Sequence, residues 1–99
     1  MDIEFTWNPG KARRNLKKHG ITFETAKQAF FDPHLIVVED CEIAGEIRYH
    51  AIGYAGSDLV LVVHVDRSEE EQEIIHIISA RKANAYEQGA YSDQFTQRN

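Results

Sequence analysis

The chain has 99 residues, of which 42% are hydrophobic and 27% charged, and a formal net charge of −5. That length fits one domain burying roughly 60–70% of the surface its unfolded form exposes, and leaves no room for a second core. No apolar run reaches the ~18 residues of a membrane span. The single Cys41 excludes an internal disulfide, and the start lacks the basic and apolar regions of a secretory signal, so the expected setting is cytoplasmic, with no membrane partner.

Residues 3–7 alternate as a short strand, after which Asn8-Pro9 is a helix start with a capping side chain and a proline at the first helical position. The helix should run to about His19 and close at Gly20, with Ala12 and Leu16 toward the core and Lys11, Arg14 or Asn15, and Lys18 as a neighbouring polar stripe. Thr22 caps a second helix, in which Phe23, Ala26 and Phe30 recur at helical spacing and which Asp32-Pro33 ends. From Leu35 the period becomes that of strands: 35–38, an acidic turn region from Glu39 to Glu46, then 47–54, a turn at 55–58, and 59–65. The polar tip 67–72 leads to a fourth strand from Glu73. A last helix is expected from about Ser79 to Tyr91, giving a single domain over 1–91 and a flexible tail over 92–99. The class is α+β, with helices on one face of an antiparallel three- to four-stranded meander and the other face, or one end of it, open to ligand.

Charge is unevenly placed. Residues 9–20 hold Lys11, Arg13, Arg14, Lys17 and Lys18 and no acid, whereas residues 21–99 hold six cations and fourteen acids. Alone, a basic run is an ordinary solvated helix face; it gains meaning where other cations converge on it. The run Glu73-Ile-Ile-His-Ile-Ile-Ser-Ala-Arg-Lys-Ala83 delivers such cations, ending an apolar strand in a hydroxyl and two positive charges. With Ser79 as helix cap, Arg81 and Lys82 would sit in the first helical turn, against the macrodipole, an arrangement suited to holding an anion.

Strand alternation places Arg48 with His50, and sets His64 and His76 on alternating positions of their strands. If those sets face the same way, Arg48, His50, His64 and His76 line one surface. A lone strand histidine is usually a hydrogen-bonded, partly buried residue. Three on adjacent strands could hold a metal, yet the chain has no CxxC or HxxxH spacing, and no metal or cofactor is expected. Imidazole beside guanidinium suits proton transfer at a phosphodiester, since arginine can hold two phosphate oxygens and neutralise developing charge. Trp7, Phe23 and Phe30 read as core.

Two groups of residues carry a resemblance. Phe5-Thr6-Trp7-Asn8, Lys11-Ala12, Asn15, Lys18-His19-Gly20-Ile21-Thr22-Phe23-Glu24, Ala26, Phe30 and Asp32 form the first; Arg48-Tyr49, Ile52-Gly53, Leu61-Val62-Val63 and Ile77-Ile78-Ser79-Ala80-Arg81-Lys82-Ala83 with Glu87 and Tyr91 form the second. Together they resemble the BrnT toxin family over about residues 5–91. The resemblance implies a RelE-like fold and a small ribonuclease toxin of a type II toxin–antitoxin system. It also implies metal-independent RNA cleavage by 2′-hydroxyl attack and inhibition of translation. A BrnA-like ribbon-helix-helix antitoxin would be the partner, and operator DNA would be reached only through the complex of the two. On this chain it implies catalytic roles for Arg48, His64, His76 and Arg81, and RNA contact by Lys11, Lys18, His19, His50 and Lys82.

One departure bears on the chemistry: the family pattern commonly has arginine where this chain has His76, so a fixed cation has become a titratable group. The acids Glu69, Glu70, Glu71 and Glu73 are also unlike a phosphate channel. Both features keep a rival open, a non-catalytic module of the same fold that pairs with an antitoxin or nucleic acid without cutting it.

Overall fold

The computed structural model describes residues 2–96; the last three positions of the expected tail lie outside the described residues. Strand β1 (Ile3–Thr6) leads to helix α1 (Pro9–His19) and the single-turn helix α2 (Phe23–Ala26), which tightens into a 3-10 turn (Lys27–Phe31). Strands β2 (Ile36–Ile43), β3 (Glu46–Ala55), β4 (Asp58–Asp66) and β5 (Glu73–Lys82) follow, then helix α3 (Ala85–Thr96). The sheet order is β1-β5-β4-β3-β2; β2 to β5 form an antiparallel meander and β1 lies parallel to β5.

Local chemistry accounts for the helical boundaries. Asn8 Oδ1 accepts from the Lys11 amide at 3.0 Å, Pro9 occupies the first turn, and Gly20 at φ 74° donates its amide to the Leu16 carbonyl. Thr22 Oγ1 likewise accepts from Thr25 N at 3.0 Å. The change to 3-10 geometry gives a repeat of three, so Phe23, Ala26 and Ala29 fall in line as the buried row, and Phe30 is left half-buried. That row packs on Ala51, Ala55, Val60, Val62, Ile75, Ile77 and Ala80, with Trp7 edge-on to Phe23 at 5.8 Å. Fully burying a side chain such as Phe23 contributes roughly 1.5–3 kcal/mol.

Five expectations change. In α1 it is Asn15, not Leu16, that turns inward: Leu16 is 46% exposed and Asn15 6%. The acidic segment after Glu39 is strand, not turn; β2 is the sheet edge, where Glu39, Asp40 and Glu42 meet solvent at little cost, and the turn shrinks to Ala44 and Gly45, both at positive φ. Cys41 is an exposed residue of that edge strand, its thiol pushed up chiefly by Asp40. Third, β5 runs four residues past Ile78, so Ser79 caps no helix; α3 begins at Ala85 and continues through Thr96. Its cap is reciprocal: Asn84 Oδ1 accepts from Glu87 N at 2.9 Å and Glu87 Oε1 from Asn84 N at 2.8 Å. Fourth, Arg81 and Lys82 are consequently strand residues that precede α3, and Arg81 meets the N-terminus of α3 only through the Glu87 carboxylate that caps it. Fifth, the helices do not share one face, because Tyr91 of α3 packs on Ile52 and Leu61 on the side opposite the main core.

Candidate functional site

Register fixes which side chains meet. Residues paired across neighbouring strands share a face, so three rows run across the sheet opposite α2. One row is Cys41, Arg48, Val65, His76 and Thr6; the next is Val38, His50, Val63 and Ser79; the third is Ile36, Ile52, Leu61 and Arg81. Neighbouring strands lie about 4.8 Å apart and successive same-face residues about 7 Å, so Arg48 and His76 stand roughly 10 Å apart at their Cα atoms, with His50 and Ser79 one row above. Tyr91 of α3 packs over the third row.

A bulge makes this alignment possible. Val63 pairs with Ser79 but His64 with Ile77, leaving Ile78 as the extra residue of β5 and bringing His76 opposite Val65. Bulges re-aim side chains in this way. The same register separates His64 from the rest: it pairs with Tyr49, not His50, and lies buried on the α2 side, edge-on to Phe30 at 4.9 Å and stacked with Tyr49 at 5.7 Å. Burial pushes its imidazole below the usual histidine range, while Nδ1–H donates to the Val62 carbonyl at 3.3 Å. The expected common surface therefore holds Arg48, His50 and His76 without His64.

The charges on this face differ in how far they are committed. Arg81 gives Nη1 and Nη2 to the two carboxylate oxygens of Glu87, each at 2.8 Å, and Nη1 also to the Lys82 carbonyl. That ion pair holds the nearly buried Glu87 below the ordinary carboxylate range. Arg67 is bound to Glu46 in the same forked manner at 2.8 and 3.0 Å. Arg48 is half-buried and makes no ion pair or side-chain hydrogen bond among the described residues. His76 Nδ1 lies 2.8 Å from Thr6 Oγ1; burial first, then the charges of Arg67 and Lys11, push its imidazole below the usual range. His50 Nε2 is 3.4 Å from Asp40 Oδ2. Among the described residues, no three His, Cys, Asp or Glu groups converge so as to hold a metal ion, and no helix is long and apolar enough to cross a membrane.

Beside these rows lies the basic helix. β1 pairs with β5 only up to His76, so the far half of that β5 edge is open to α1. Asn15 fills it: Oδ1 accepts from Ala80 N at 3.1 Å, and Nδ2 donates to the carbonyls of Ala80 (2.9 Å) and Ile21 (3.1 Å). One side-chain amide thus stands in for a neighbouring strand. It brings Lys11, Arg14, Lys18 and His19 beside Ile78 and Ser79 around an open groove of about 420 Å³. Lys82 is elsewhere, lining a hollow with Tyr54, Leu59 and Tyr91. Two groups do not stand out as site residues in the sequence: Asn15 reads as one more polar residue of the stripe, and Glu87 enters only with the family resemblance, although its spacing from Asn84 is a readable capping signal.

A family model described as "Ribonuclease toxin, BrnT, of type II toxin-antitoxin system" matches residues 7–87. The chain belongs to this family. No curated protein matches it. Membership makes the BrnT-family chain a ribonuclease toxin, with RNA as its target and an antitoxin as its partner. The matched span runs from Trp7 through α1 and the meander to Glu87, and so includes Arg48, His50, His76, Ser79, Arg81 and the α1 cations.

Proposed function

We propose that this BrnT-family chain is a metal-independent endoribonuclease that cuts RNA on the Arg48–His50–His76 face, with α1 guiding the RNA backbone. The observation that carries the reading is Arg48, a half-buried guanidinium left unpaired among the described residues, two strands across from His76. An unpaired arginine beside imidazoles is what a phosphodiester requires, because its planar fork can hold two phosphate oxygens. Arg81 is the weaker phosphate candidate, since both of its terminal nitrogens are bound to Glu87; its part is to hold the floor of the site.

The steps follow from the side chains. In the tautomer whose Nδ1–H donates to Thr6 Oγ1, His76 presents the Nε2 lone pair, and its lowered basicity keeps it neutral near pH 7, ready to accept the 2′-hydroxyl proton. The 2′-oxygen attacks phosphorus, and Arg48 stabilises the charge of the pentacoordinate state. His50, with Asp40 against its ring, gives a proton to the departing 5′-oxygen. Lys11, Lys18 and His19 take the flanking phosphates along the groove. The products would be a 2′,3′-cyclic phosphate and a 5′-hydroxyl; end analysis of RNA cut by partner-free protein tests this, and 5′-phosphate ends would contradict it. His64, behind the sheet, supports the core here and does not touch RNA.

In the same reading the site acts in the cytoplasm, blocks translation by cutting RNA, and is silenced by a BrnA-like ribbon-helix-helix antitoxin through which alone operator DNA is bound. Co-expression with the adjacent reading frame should give a complex that protects the α1 cations from lysine modification. The Arg81–Glu87 pair favours one alternative, a non-catalytic binding module, because it withdraws a cation from the face. RNA binding without cleavage by partner-free protein would select it.

A further inference from the structure

We infer that the hollow between β2, β3 and α3 is a nucleobase subsite, in which Tyr86 stacks on a base next to the scissile phosphate and Asp40 selects guanine. The inference rests on the ribonuclease reading above and adds to it the base that the site takes. The hollow encloses about 340 Å³, in the range of small-ligand sites, with walls of Val38, Ile52, Leu61 and Ala90. His50 lines it too, so the hollow adjoins the group proposed to protonate the departing 5′-oxygen.

Tyr86 is 85% exposed, so the faces of its ring are accessible to a ligand. Its backbone is nonetheless held: it sits between Asn84 and Glu87, whose reciprocal cap and ion pair to Arg81 fix the first turn of α3. A ring presented on a rigid turn at the mouth of an apolar hollow is a stacking platform, and every base offers a face to it. The choice among bases comes from the rim. Asp40 is the extra residue of the β2 bulge, where the register slips between Glu39 and Cys41, and the bulge brings it to the hollow. Its Oδ2 faces His50 and the same carboxylate accepts from the Cys41 thiol, two contacts that leave part of the carboxylate's acceptor capacity for a ligand. Carboxylates only accept, so they favour a base edge made of donors. Guanine presents adjacent N1–H and N2–H groups, whereas uracil offers one donor between two carbonyls.

The test uses 2′-O-methyl RNA trinucleotides, which bind but cannot be cut, differing only in the central base, titrated calorimetrically at one fixed salt concentration. The guanine trinucleotide should bind at least five-fold tighter than the uracil one. Tyr86→Ala should weaken binding by about five-fold or more, from ~1–3 kcal/mol of stacking, and Tyr86→Phe should restore it. Asp40→Asn should narrow the guanine-to-uracil ratio. Tyr86 is exposed, so its replacement leaves the fold intact, as circular dichroism will show. Equal binding of all bases, or Tyr86→Ala binding like wild type, overturns the inference; so does a Tyr86 ring resonance that moves with the protein partner and not with any oligonucleotide. Because these probes do not depend on cleavage, an inactive wild-type protein would defeat the ribonuclease reading while the subsite was still judged by binding.

Discussion

Replacing Asn15 by alanine is the most informative single perturbation of the fold, because one amide satisfies three backbone groups: Ala80 N–H, Ala80 C=O and Ile21 C=O. A buried polar group left without a partner costs roughly 1–3 kcal/mol. The adjoining groove is open, so water can reach part of this set and the low end applies, about 1 kcal/mol each. Alanine's better helix propensity returns up to ~0.7 kcal/mol. The net loss is then about 2–3 kcal/mol, a large share of the ~5–15 kcal/mol of a domain this size. Urea unfolding should show the midpoint falling by about 1–2 M at unchanged slope, and thermal unfolding a drop of roughly 10–20 °C. Arg13→Ala, an exposed change on the same helix, should stay within about 0.5 kcal/mol. A loss below about 0.5 kcal/mol for Asn15→Ala would refute the idea that this amide replaces a strand.

Three further outcomes follow from the packing. Gly53→Ala would put a Cβ 2.9 Å from the Ala29 carbonyl and 3.0 Å from Leu35, so β3 and the 3-10 turn must separate, at about 1–3 kcal/mol by urea unfolding. Tyr91 donates its hydroxyl to Asp32 at 2.7 Å, and burial together with that carboxylate pushes the phenol up to about 12; ultraviolet titration of Tyr91→Phe should lack this late-ionising phenol, with a loss of about 1 kcal/mol in stability. His64 and His76 are both harder to protonate folded than unfolded, so the unfolded chain binds more protons just below ~6.5 and stability should fall as the pH drops through that point. His64→Asn, though less stable at neutral pH, should flatten that decline in melting temperature; an unaltered slope would contradict it.

Much of the fold is written locally. Asn8-Pro9, Gly20 and Thr22 mark helix ends by their own chemistry, and the alternation after Leu35 gives the meander. What alternation does not give is the side on which each set falls. The two-residue turn Gly56-Ser57 pairs Ala55 with Asp58, which joins even-numbered residues of β3 to odd-numbered residues of β4 and sends His64 behind the sheet. The bulge at Ile78, by contrast, returns His76 to the face of Arg48. The far half of β5 is paired with β4 on one side and held at Ala80 on the other by Asn15, sixty-five residues away along the chain, and no local pattern announces either. The candidate site is therefore legible in residue type, whereas register decides which of those residues share a face.

The most direct test of the catalytic claim incubates RNA with protein freed of its partner, in chelator, from pH 5 to 8, beside Arg48→Ala and His76→Ala. Cleavage should persist in chelator, fall off toward acid pH as His76 takes up a proton, and be lost in both variants. No cleavage at any pH, cleavage abolished by the chelator, or full activity in Arg48→Ala would contradict the account.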